Sequence, residues 1–468
     1  MSQSSQYPST LAALWTSSEV SEATGGKAAG DWQASHVSID SRRVGAGGLF
    51  IAIVGERVDG HQYVKQAMDA GASAAIVSAP VDGVADEKLV IVDDTFKALE
   101  ALGVYSRKRA DARIIGVTGS VGKTTTKEAL RLMCEAFGDT FASQGNFNNH
   151  FGAPLSLANM PRGTEFGVFE MGMNHAGEIS ELTKMVRPHV GIITTVEAVH
   201  LEFFENEQGI AAAKAEIFEG LEAGGVAILN ADNEHTDFIK NIIGDAATIT
   251  FGSKADADVK KVTSAPTNQG SSLTVEASGK SLELALRTSN VAVDAAILVS
   301  IAAAKALGLD IDKAASQLEN FAEVKGRGQV EPAEMDGKAM WWIDDSYNAS
   351  PAAMRAAFEK LATVKQQHSA PRTIAVLGDM LELGVQSQAL HEGLAESLAE
   401  HNIDCVYTVG SLMKHLHDAL PDAAAAHHSS DLDALENTLK DQLRAGDVVL
   451  FKGSNGSKIH QLVKNLWE

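Results

Sequence analysis

The chain of 468 residues contains little cysteine and no excess of basic charge. Its two cysteines, Cys134 and Cys405, are too distant in sequence to form a CxxC metal site and too few for a disulfide framework. Lys and Arg total 39 against 61 Asp and Glu, and the net charge of −22 disfavours binding to a nucleic-acid backbone. We therefore expect a reducing cytoplasmic location, no nucleic-acid partner, and a local site for any anionic ligand.

The sequence also lacks a long uncharged apolar segment and an export signal. Its longest apolar stretch, residues 291–309, contains Asp294 and Lys305, so the uncharged run is too short to cross ~30 Å of hydrocarbon. Residues 1–14 are rich in serine and lack a basic region followed by an apolar run. These features predict neither membrane insertion nor export.

The composition is that of folded α/β domains, with 45% apolar and 21% charged residues. At ~100–200 residues per domain, this length suggests three domains. Short β-rich runs, such as residues 49–54 and 114–117, alternate with helical patterns, such as residues 95–109, which favours mostly parallel sheets covered by helices. We predict a small N-terminal α/β domain at residues 1–110, a central domain with a mostly parallel sheet at 111–325, and a C-terminal Rossmann-like domain at 326–468.

A glycine-rich turn, Thr118 to Thr125, lies between an apolar run and a helical pattern. Gly119 and Gly122 would let backbone N–H groups face phosphates, Lys123 would supply positive charge, and the Thr124 hydroxyl could bind Mg²⁺. The remaining members of this phosphate-binding loop are Ser120, Val121 and Thr125. The generic GxxxxGK[ST] spacing is not met, and a glycine-rich turn with an exposed lysine is the alternative.

Further along the chain than the glycine-rich turn, Glu170 and His200 are candidate metal ligands. Glu170 ends the apolar run that begins at residue 167, and at a strand end it could share a Mg²⁺ ion with Thr124. Without the upstream loop it would be an ordinary solvated glutamate. His200 could bind a second metal ion, although a lone histidine is more often structural.

Lys214 falls on the apolar face of a predicted helix over residues 210–221. At 100° per residue, Ile210, Ile217 and Phe218 share its stripe. Burying an ammonium group is costly, so Lys214 must extend its amine to water, find a partner, or change its chemistry. The stripe alone favours extension to water.

Two polar segments follow strand patterns in the last third of the chain. Residues 344–351, including Asp345 and Asn348, join a strand end to a helix that Pro351 can start. They could contact a nucleotide or a peptide, or form only a capped turn. Residues 452–458 place two lysines in a Gly/Ser turn that could bind an anion or remain solvated.

Together these motifs resemble the Mur ligase family of cell-wall synthesis. The resemblance covers nearly the whole chain and rests on the order and spacing of segments that would be weak alone. They are residues 40–42, 49–56, 59–61, 118–126, 146–149, 152–154, 170–172, 200–202, 214–218, 326–327, 344–351 and 377–384.

The resemblance implies an N-terminal domain for the UDP end of a substrate, a central ATPase domain, and a C-terminal domain that closes over both. The implied reaction is an ATP-dependent ligation of D-alanyl-D-alanine to UDP-N-acetylmuramoyl-tripeptide. It would pass through an acyl phosphate and release ADP and phosphate. Two Mg²⁺ ions are implied as cofactors, both substrates are small molecules, and we expect a monomer.

The resemblance also implies roles for individual residues. Thr124 and Glu170 would hold one Mg²⁺, His200 would help hold a second, and Lys214 matches a lysine that the family carbamylates. The predicted ATP contacts are Gly119, Ser120, Val121, Gly122, Lys123, Thr124 and Thr125 in the loop, with Arg327, Asp345 and Asn348 from the C-terminal domain. The predicted uridine-nucleotide contacts are Ser41 and Arg42.

Three alternatives are open at the level of sequence. A ligase that adds the third amino acid would need an Asp-Asn-Pro-Arg type motif, which is missing, whereas residues 378–383 read Gly-Asp-Met-Leu-Glu-Leu. Folylpolyglutamate synthase shares the central chemistry but does not account for the Asp-Ser-Arg segment. The third is a binding module that hydrolyses ATP only to change shape. Residues 289–294 keep one asparagine of the family's adenine motif, so no adenine contact is predicted there.

Overall fold

The strands of the computed structural model form three main sheets, each built from its own stretch of chain. The structure describes residues 13–55, 58–145, 147–198, 201–267, 270–288, 291–421 and 425–467. All three sheets are mostly parallel and carry helices, so the predicted α/β class with three domains is confirmed. In the part of the chain that the structure describes, no helix is long and apolar enough to span a membrane.

The N-terminal body has a sheet of order β2-β7-β6-β5-β4, in which only the β2–β7 pair is antiparallel, and a small β1–β3 pair. Its elements are β1 (Trp15–Thr16), α1 (Ser17–Thr24), β2 (Lys27–Ala28), β3 (Gln33–Ala34), β4 (His36–Ser38), β5 (Gly48–Ile51), α2 (Val64–Asp69), β6 (Ala74–Val77), β7 (Leu89–Ile91) and α3 (Thr95–Arg109).

The central body has a sheet of order β16-β15-β14-β13-β12-β11-β8-β10-β9, antiparallel only from β14 to β16. Its elements are β8 (Arg113–Thr118), α4 (Lys123–Glu135), β9 (Thr140–Ala142), α5 (Gly152–Ala158), β10 (Phe166–Glu170), α6 (Glu178–Val186), β11 (Val190–Ile193), α7 (Glu207–Ala215), β12 (Val226–Asn230), α8 (Thr236–Ile243), β13 (Ala247–Gly252), β14 (Val259–Thr267), β15 (Gly270–Ala277), β16 (Lys280–Leu286), α9 (Val291–Ala306) and α10 (Ile311–Leu318).

The C-terminal body has a sheet of order β17-β18-β22-β19-β20-β21, antiparallel only between β17 and β18. Its elements are β17 (Gln329–Met335), β18 (Lys338–Asp345), α11 (Pro351–Gln367), β19 (Thr373–Gly378), α12 (Ser387–Glu392), α13 (Leu394–Glu400), β20 (Cys405–Val409), α14 (Met413–Ala419), β21 (Ala425–Ser429), α15 (Leu432–Gln442), β22 (Val448–Lys452) and α16 (Ile459–Trp467).

The central strand β8 shows why the sheet is covered on both faces. Ile115 and Val117 point into a core shared with α4 and α9, whereas Ile114 points into the opposite core with α5, α6 and α7. Successive side chains of a strand alternate between faces, so an uninterrupted apolar run needs helices on both sides. The polar residues that follow these strands are therefore confined to the carboxyl edge of the sheet, where ligands bind in open α/β sheets.

Two predicted elements differ from the structure. The helix expected over residues 210–221 ends at Ala215, and a 3-10 helix, Glu216–Gly220, follows it. The tighter turn lets Thr183 donate its hydroxyl to the Ile217 carbonyl at 2.6 Å. The strand expected from residue 49 to 54 ends at Ile51, because Val54 leaves the sheet to bridge to Asp59.

Candidate active site

The glycine-rich turn forms a tight loop between β8 and α4. Gly119 has a φ of +148°, and a Cβ there would lie 1.9 Å from the Thr194 hydroxyl oxygen, so only glycine fits. Gly122 is the N-cap of α4 with a φ of +84°. Because glycine cannot cap a helix with a side chain, the first-turn amides of α4 are suited to bind an anion.

The loop is fastened to the segment that follows β11. The Ser120 amide donates to the Thr195 carbonyl at 2.8 Å, and the Thr194 hydroxyl donates to the Val121 carbonyl at 2.6 Å. The Glu197 amide in turn donates to the Ser120 hydroxyl at 2.9 Å. These contacts hold the loop in shape through the protein's own groups, which is what a preorganised anion site requires.

Lys123 begins α4 and folds back over the loop. Its Nζ donates to the Gly119 carbonyl at 2.7 Å. Burial lowers the pKa of Lys123, and the positive charge of Arg327 lowers it further, while Glu170 opposes the shift. The amine thus lies against the backbone that would share a phosphate with it.

Thr124 and Glu170 are directly hydrogen bonded. The Thr124 hydroxyl donates to Glu170 Oε2 at 2.9 Å, and Asn148 Nδ2 donates to Glu170 Oε1 at 2.7 Å. Arg327 Nη2 donates to the Thr124 hydroxyl at 3.3 Å. Glu170 is buried at the end of β10, and its amide donates to the Ser143 hydroxyl at 3.1 Å. Hydroxyl and carboxylate oxygens held in this way suit Mg²⁺, which prefers oxygen ligands.

Lys214 is buried on α7, as the helical stripe predicted, with 2% of its surface exposed. Extension of the amine to bulk water, which the stripe alone favoured, is wrong. No ion-pair or hydrogen-bond partner of its amine is found among the residues that the structure describes. Burial lowers the pKa of Lys214 well below 10.5, and the charge of Lys123 lowers it further. A lysine in this state readily becomes an uncharged amine.

The C-terminal body supplies the opposite wall of the site. Asp345 and Lys452 end the neighbouring parallel strands β18 and β22 in register, and Lys452 Nζ lies 2.6 Å from Asp345 Oδ2. The same amine donates to the Asn348 carbonyl at 3.1 Å. The guanidinium of Arg327 stacks over the Tyr347 ring at 4.0 Å, and burial lowers the pKa of Arg327.

These groups surround one cavity of about 490 Å³ between the central and C-terminal bodies. Most of the predicted site residues line it: Ser120, Val121, Gly122, Lys123, Thr124, Thr125, Glu170, Lys214, Arg327, Asp345 and Asn348. Gly119 is connected to the cavity indirectly, because its carbonyl accepts a hydrogen bond from Lys123, which lines the cavity. His200 lies outside the described residues. The cavity also contains residues to which no role was assigned, namely Asn148, Lys360 and Lys452. The turn containing Lys452 was noted as an anion-binding candidate, whereas nothing local marked Lys360.

The two predicted uridine-nucleotide residues lie on the N-terminal body. The Ser41 hydroxyl donates to Gln66 at 3.2 Å, and Arg42 pairs with Asp40 at 2.8 Å with most of its side chain exposed. A small cleft of about 70 Å³ lies beside them, between the N-terminal and central bodies. Asp40 and Arg43 line it, whereas Ser41 and Arg42 do not.

Three family models match the chain in succession. Residues 33–108 match the Mur ligase family catalytic domain, residues 117–304 the Mur ligase middle domain, and residues 326–455 the Mur ligase glutamate ligase domain. A UDP-N-acetylmuramoyl-tripeptide–D-alanyl-D-alanine ligase of Rickettsia prowazekii is 34% identical to the chain over 458 residues, which cover 96% of this chain and 99% of the relative.

The chain belongs to the Mur ligase family. A second curated relative, the enzyme of the same name from Escherichia coli K12, is 33% identical and covers 92% of this Mur ligase. The alignment spans 93% of that relative.

Solved structures agree with this membership. MurF from Acinetobacter baumannii superposes with a TM-score of 0.83 at 30% identity, covering 97% of this chain and 98% of that one. MurF from Thermotoga maritima, solved in complex with ADP, gives a TM-score of 0.76 at 28% identity, with 92% and 96% covered. The three-body α/β architecture of this Mur ligase is therefore that of MurF structures.

Proposed function

We propose that this Mur ligase joins D-alanyl-D-alanine to UDP-N-acetylmuramoyl-tripeptide at the expense of ATP. The reaction is the last cytoplasmic step in making the peptide of the peptidoglycan precursor. The observation that carries this proposal is the single cavity in which a phosphate-binding loop, a Thr–Glu oxygen pair and a buried amine face an arginine and an aspartate of another body. The names of the relatives that match nearly the whole chain support the choice of substrates.

ATP and Mg²⁺ fit the residues present. The cavity volume lies within the ~300–1,000 Å³ typical of small-molecule sites. The loop from Gly119 to Thr125 would bind the phosphates, with Arg327, Asp345 and Asn348 contacting the nucleotide from the other side. Thr124 and Glu170 would hold one Mg²⁺. When bound, Mg²⁺ would neutralise negative charge on the phosphates.

A second Mg²⁺ and a carbamate on Lys214 complete the proposal. An uncharged amine adds to CO₂ and loses a proton, which gives a carbamate with a carboxylate-like end. Burial with no partner among the described residues favours the uncharged amine that this chemistry requires. The resulting carboxylate of Lys214, together with His200, would hold the second ion.

The chemistry proceeds in two displacements. A carboxylate oxygen of the tripeptide attacks the γ-phosphorus of ATP, ADP leaves, and an acyl phosphate forms. The amine of D-alanyl-D-alanine then attacks the acyl carbon, phosphate leaves, and the amine loses a proton. Lys123 and Arg327 would stabilise charge on the transferring phosphoryl group, and the two-sided cavity would orient the reactants and exclude water.

The remaining body is assigned to the UDP end of the substrate. Ser41 and Arg42 would contact the uridine nucleotide beside the cleft that Asp40 and Arg43 line.

We place the domain boundaries near residues 110 and 325. Because one chain supplies every residue of the proposed site, the enzyme would act as a monomer. The buried free thiols of Cys134 and Cys405 suit the reducing cytoplasm.

Phosphate release by the purified protein tests this function. Release should require ATP, a UDP-linked tripeptide and D-alanyl-D-alanine together, with one phosphate per pentapeptide detected by mass spectrometry. A panel of tripeptides with diaminopimelate or lysine as third residue would define the acceptor. Equal phosphate release without either substrate would instead support a binding module that hydrolyses ATP to change shape.

A further inference from the structure

A buried ion pair lies at the junction of the central and C-terminal bodies, outside the set of residues proposed to contact ATP. Lys360 lies on α11, and Glu323 lies in the segment that follows α10. Their side chains are 8% and 9% exposed, and Lys360 Nζ pairs with Glu323 Oε1. Burying two charges is costly unless their geometry and hydrogen bonds compensate, so the pair calls for a structural or functional reason.

The Lys360 amine binds both ends of the segment that joins the two bodies. Besides pairing with Glu323 at the start of residues 323–328, it donates to the Gly328 carbonyl at the end. Glu323 Oε1 also accepts a hydrogen bond from the Thr288 hydroxyl of the central body at 2.9 Å. One amine of the C-terminal body thus holds both ends of the joining segment, and Glu323 connects that segment to the central body.

The joining segment carries Arg327 and needs such a restraint. Gly326 and Gly328 flank Arg327 with φ values of +75° and +92°. Two glycines give this backbone many accessible conformations, and ordering them costs entropy. The observed conformation is held by the Arg327 amide, which donates to the Val324 carbonyl at 2.9 Å, and by the Gly328 amide, which donates to the Asp344 carbonyl at 2.8 Å.

We propose that Lys360 is a positioning residue for Arg327. Through Glu323 and the Gly328 carbonyl, it holds the joining segment in the conformation that brings the Arg327 guanidinium to 3.3 Å from the Thr124 hydroxyl. The inference rests on the proposed function in one respect, namely that Arg327 contacts ATP. Lys360 acts on Arg327 through the backbone of Gly328, the residue that follows Arg327 in the chain.

The first test measures the segment itself. Lys360→Met should raise hydrogen–deuterium exchange at the amides of residues 324–328 several-fold, because those amides lose the conformation in which they are bonded. Lys365→Met is the matched control on the same helix. Lys365 pairs with Asp404 at 2.7 Å inside the C-terminal body, so its loss should leave exchange in the segment unchanged. Unchanged exchange in folded Lys360→Met would overturn the proposal.

The second test measures the consequence for ATP. Lys360→Met should raise the KM for ATP about tenfold and change kcat less, while Lys365→Met stays within about twofold of the parent. Lys360→Arg, which keeps the charge, should recover part of the loss. The variant Lys360→Met/Glu323→Gln removes both charges and should fold even where the single change leaves a carboxylate buried alone. It should still show the raised KM.

A double-mutant cycle with Arg327→Ala distinguishes positioning of Arg327 by Lys360 from a direct action of Lys360 on the nucleotide. If Lys360 acts through Arg327, the Arg327→Ala change should raise the KM for ATP much less in the Lys360→Met background than in the parent. Additive effects would mean that Lys360 acts on the nucleotide directly, and would overturn positioning. If Arg327→Ala leaves the parent KM unchanged while exchange still rises in Lys360→Met, the ATP role proposed for Arg327 fails and the restraint on the segment stands.

Discussion

The two walls of the cavity treat their lysines in opposite ways. On the central wall, Lys123 bonds to backbone carbonyls, and neither Lys123 nor Lys214 has a carboxylate partner for its amine among the described residues. On the C-terminal wall, Lys452 pairs with Asp345, and Lys360 pairs with a carboxylate of the joining segment. Burial lowers the pKa of both central lysines.

The presence or absence of a carboxylate partner distinguishes lysines suited to chemistry from lysines suited to positioning. An amine in the cavity without a carboxylate partner can bind an anion or react with CO₂, because no protein carboxylate already neutralises its charge. A buried amine with a carboxylate instead fixes the elements that carry the two groups. The comparison predicts that central lysines affect catalysis strongly and that C-terminal lysines mainly affect nucleotide affinity.

Lys123→Ala should have the largest effect. It removes positive charge where negative charge develops on the phosphoryl group, and a loss of about 10²–10³-fold or more in kcat is expected. The fold should be kept, since the hydrogen bonds of the amine among the described residues go to loop carbonyls alone. Near-normal ligation by a folded Lys123→Ala protein would contradict the assignment of the phosphate-binding loop. Lys184→Ala, which removes a surface partner of Glu219, is the control.

Lys214→Ala should reduce turnover by roughly 10²-fold while the helix stays intact, because alanine is the better helix former. A small carboxylate such as acetate should restore part of the activity by taking the place of the carbamate. Turnover is measured with and without acetate and dissolved CO₂. Parent-like activity of the variant in CO₂-depleted buffer would exclude a carbamate.

Lys214→Met should stabilise the ligand-free protein by roughly 1–3 kcal/mol, the usual cost of an unpartnered buried polar group. In the parent, the folded-state pKa is below 10.5, so unfolding takes up a proton and parent stability rises with pH up to about 10.5. The advantage of the variant should therefore narrow as the pH rises toward 10.5. Thermal unfolding of both proteins in carbonate-free buffer measures the difference in their free energies of unfolding. A difference that widens as the pH rises would contradict the lowered pKa of Lys214.

Lys452→Met should have the smallest of these effects, raising the KM for ATP about fivefold to tenfold with kcat little changed. The change frees Asp345 and the turn at Asn348, which the amine otherwise holds at 2.6 and 3.1 Å. Steady-state kinetics with varied ATP check it, with Lys440→Met as the control, since Lys440 pairs with Glu436 on the surface. A loss in kcat as large as that of Lys123→Ala would break the division between the two walls.

Much of the fold could be read from local pattern. The helix Thr95–Arg109 has its predicted bounds because Asp94 caps its first turn and basic residues occupy its last. The strand around Ile115 was evident from its uninterrupted apolar run. The end of α7 at Ala215 could not be predicted, because it depends on Thr183 of another helix bonding to the following turn.

The site was only partly predictable. The position of the glycine-rich loop followed from local glycine, lysine and threonine spacing, and that of Glu170 from the end of its apolar run, while their roles in binding ATP and Mg²⁺ stay predictions. Lys360 could not be found from the sequence, because its partner lies 37 residues away and the role proposed for it depends on α11 packing on the joining segment. Similarly, sequence could not distinguish Arg42, which pairs with Asp40, from Arg43, which lines the cleft.

The sequence by itself determined the succession of strands and helices along the chain, the glycine-rich loop, and the place of Lys214 on an apolar helix face, because periodicity and turn chemistry act over a few residues. Only the tertiary structure decided which buried lysines have partners. Lys452 meets Asp345 because two parallel strands end in register, although 107 residues separate them in the chain. Lys214 meets no such carboxylate in the described structure. Charge pairing depends on distances of a few ångströms between distant segments, and packing alone sets those distances.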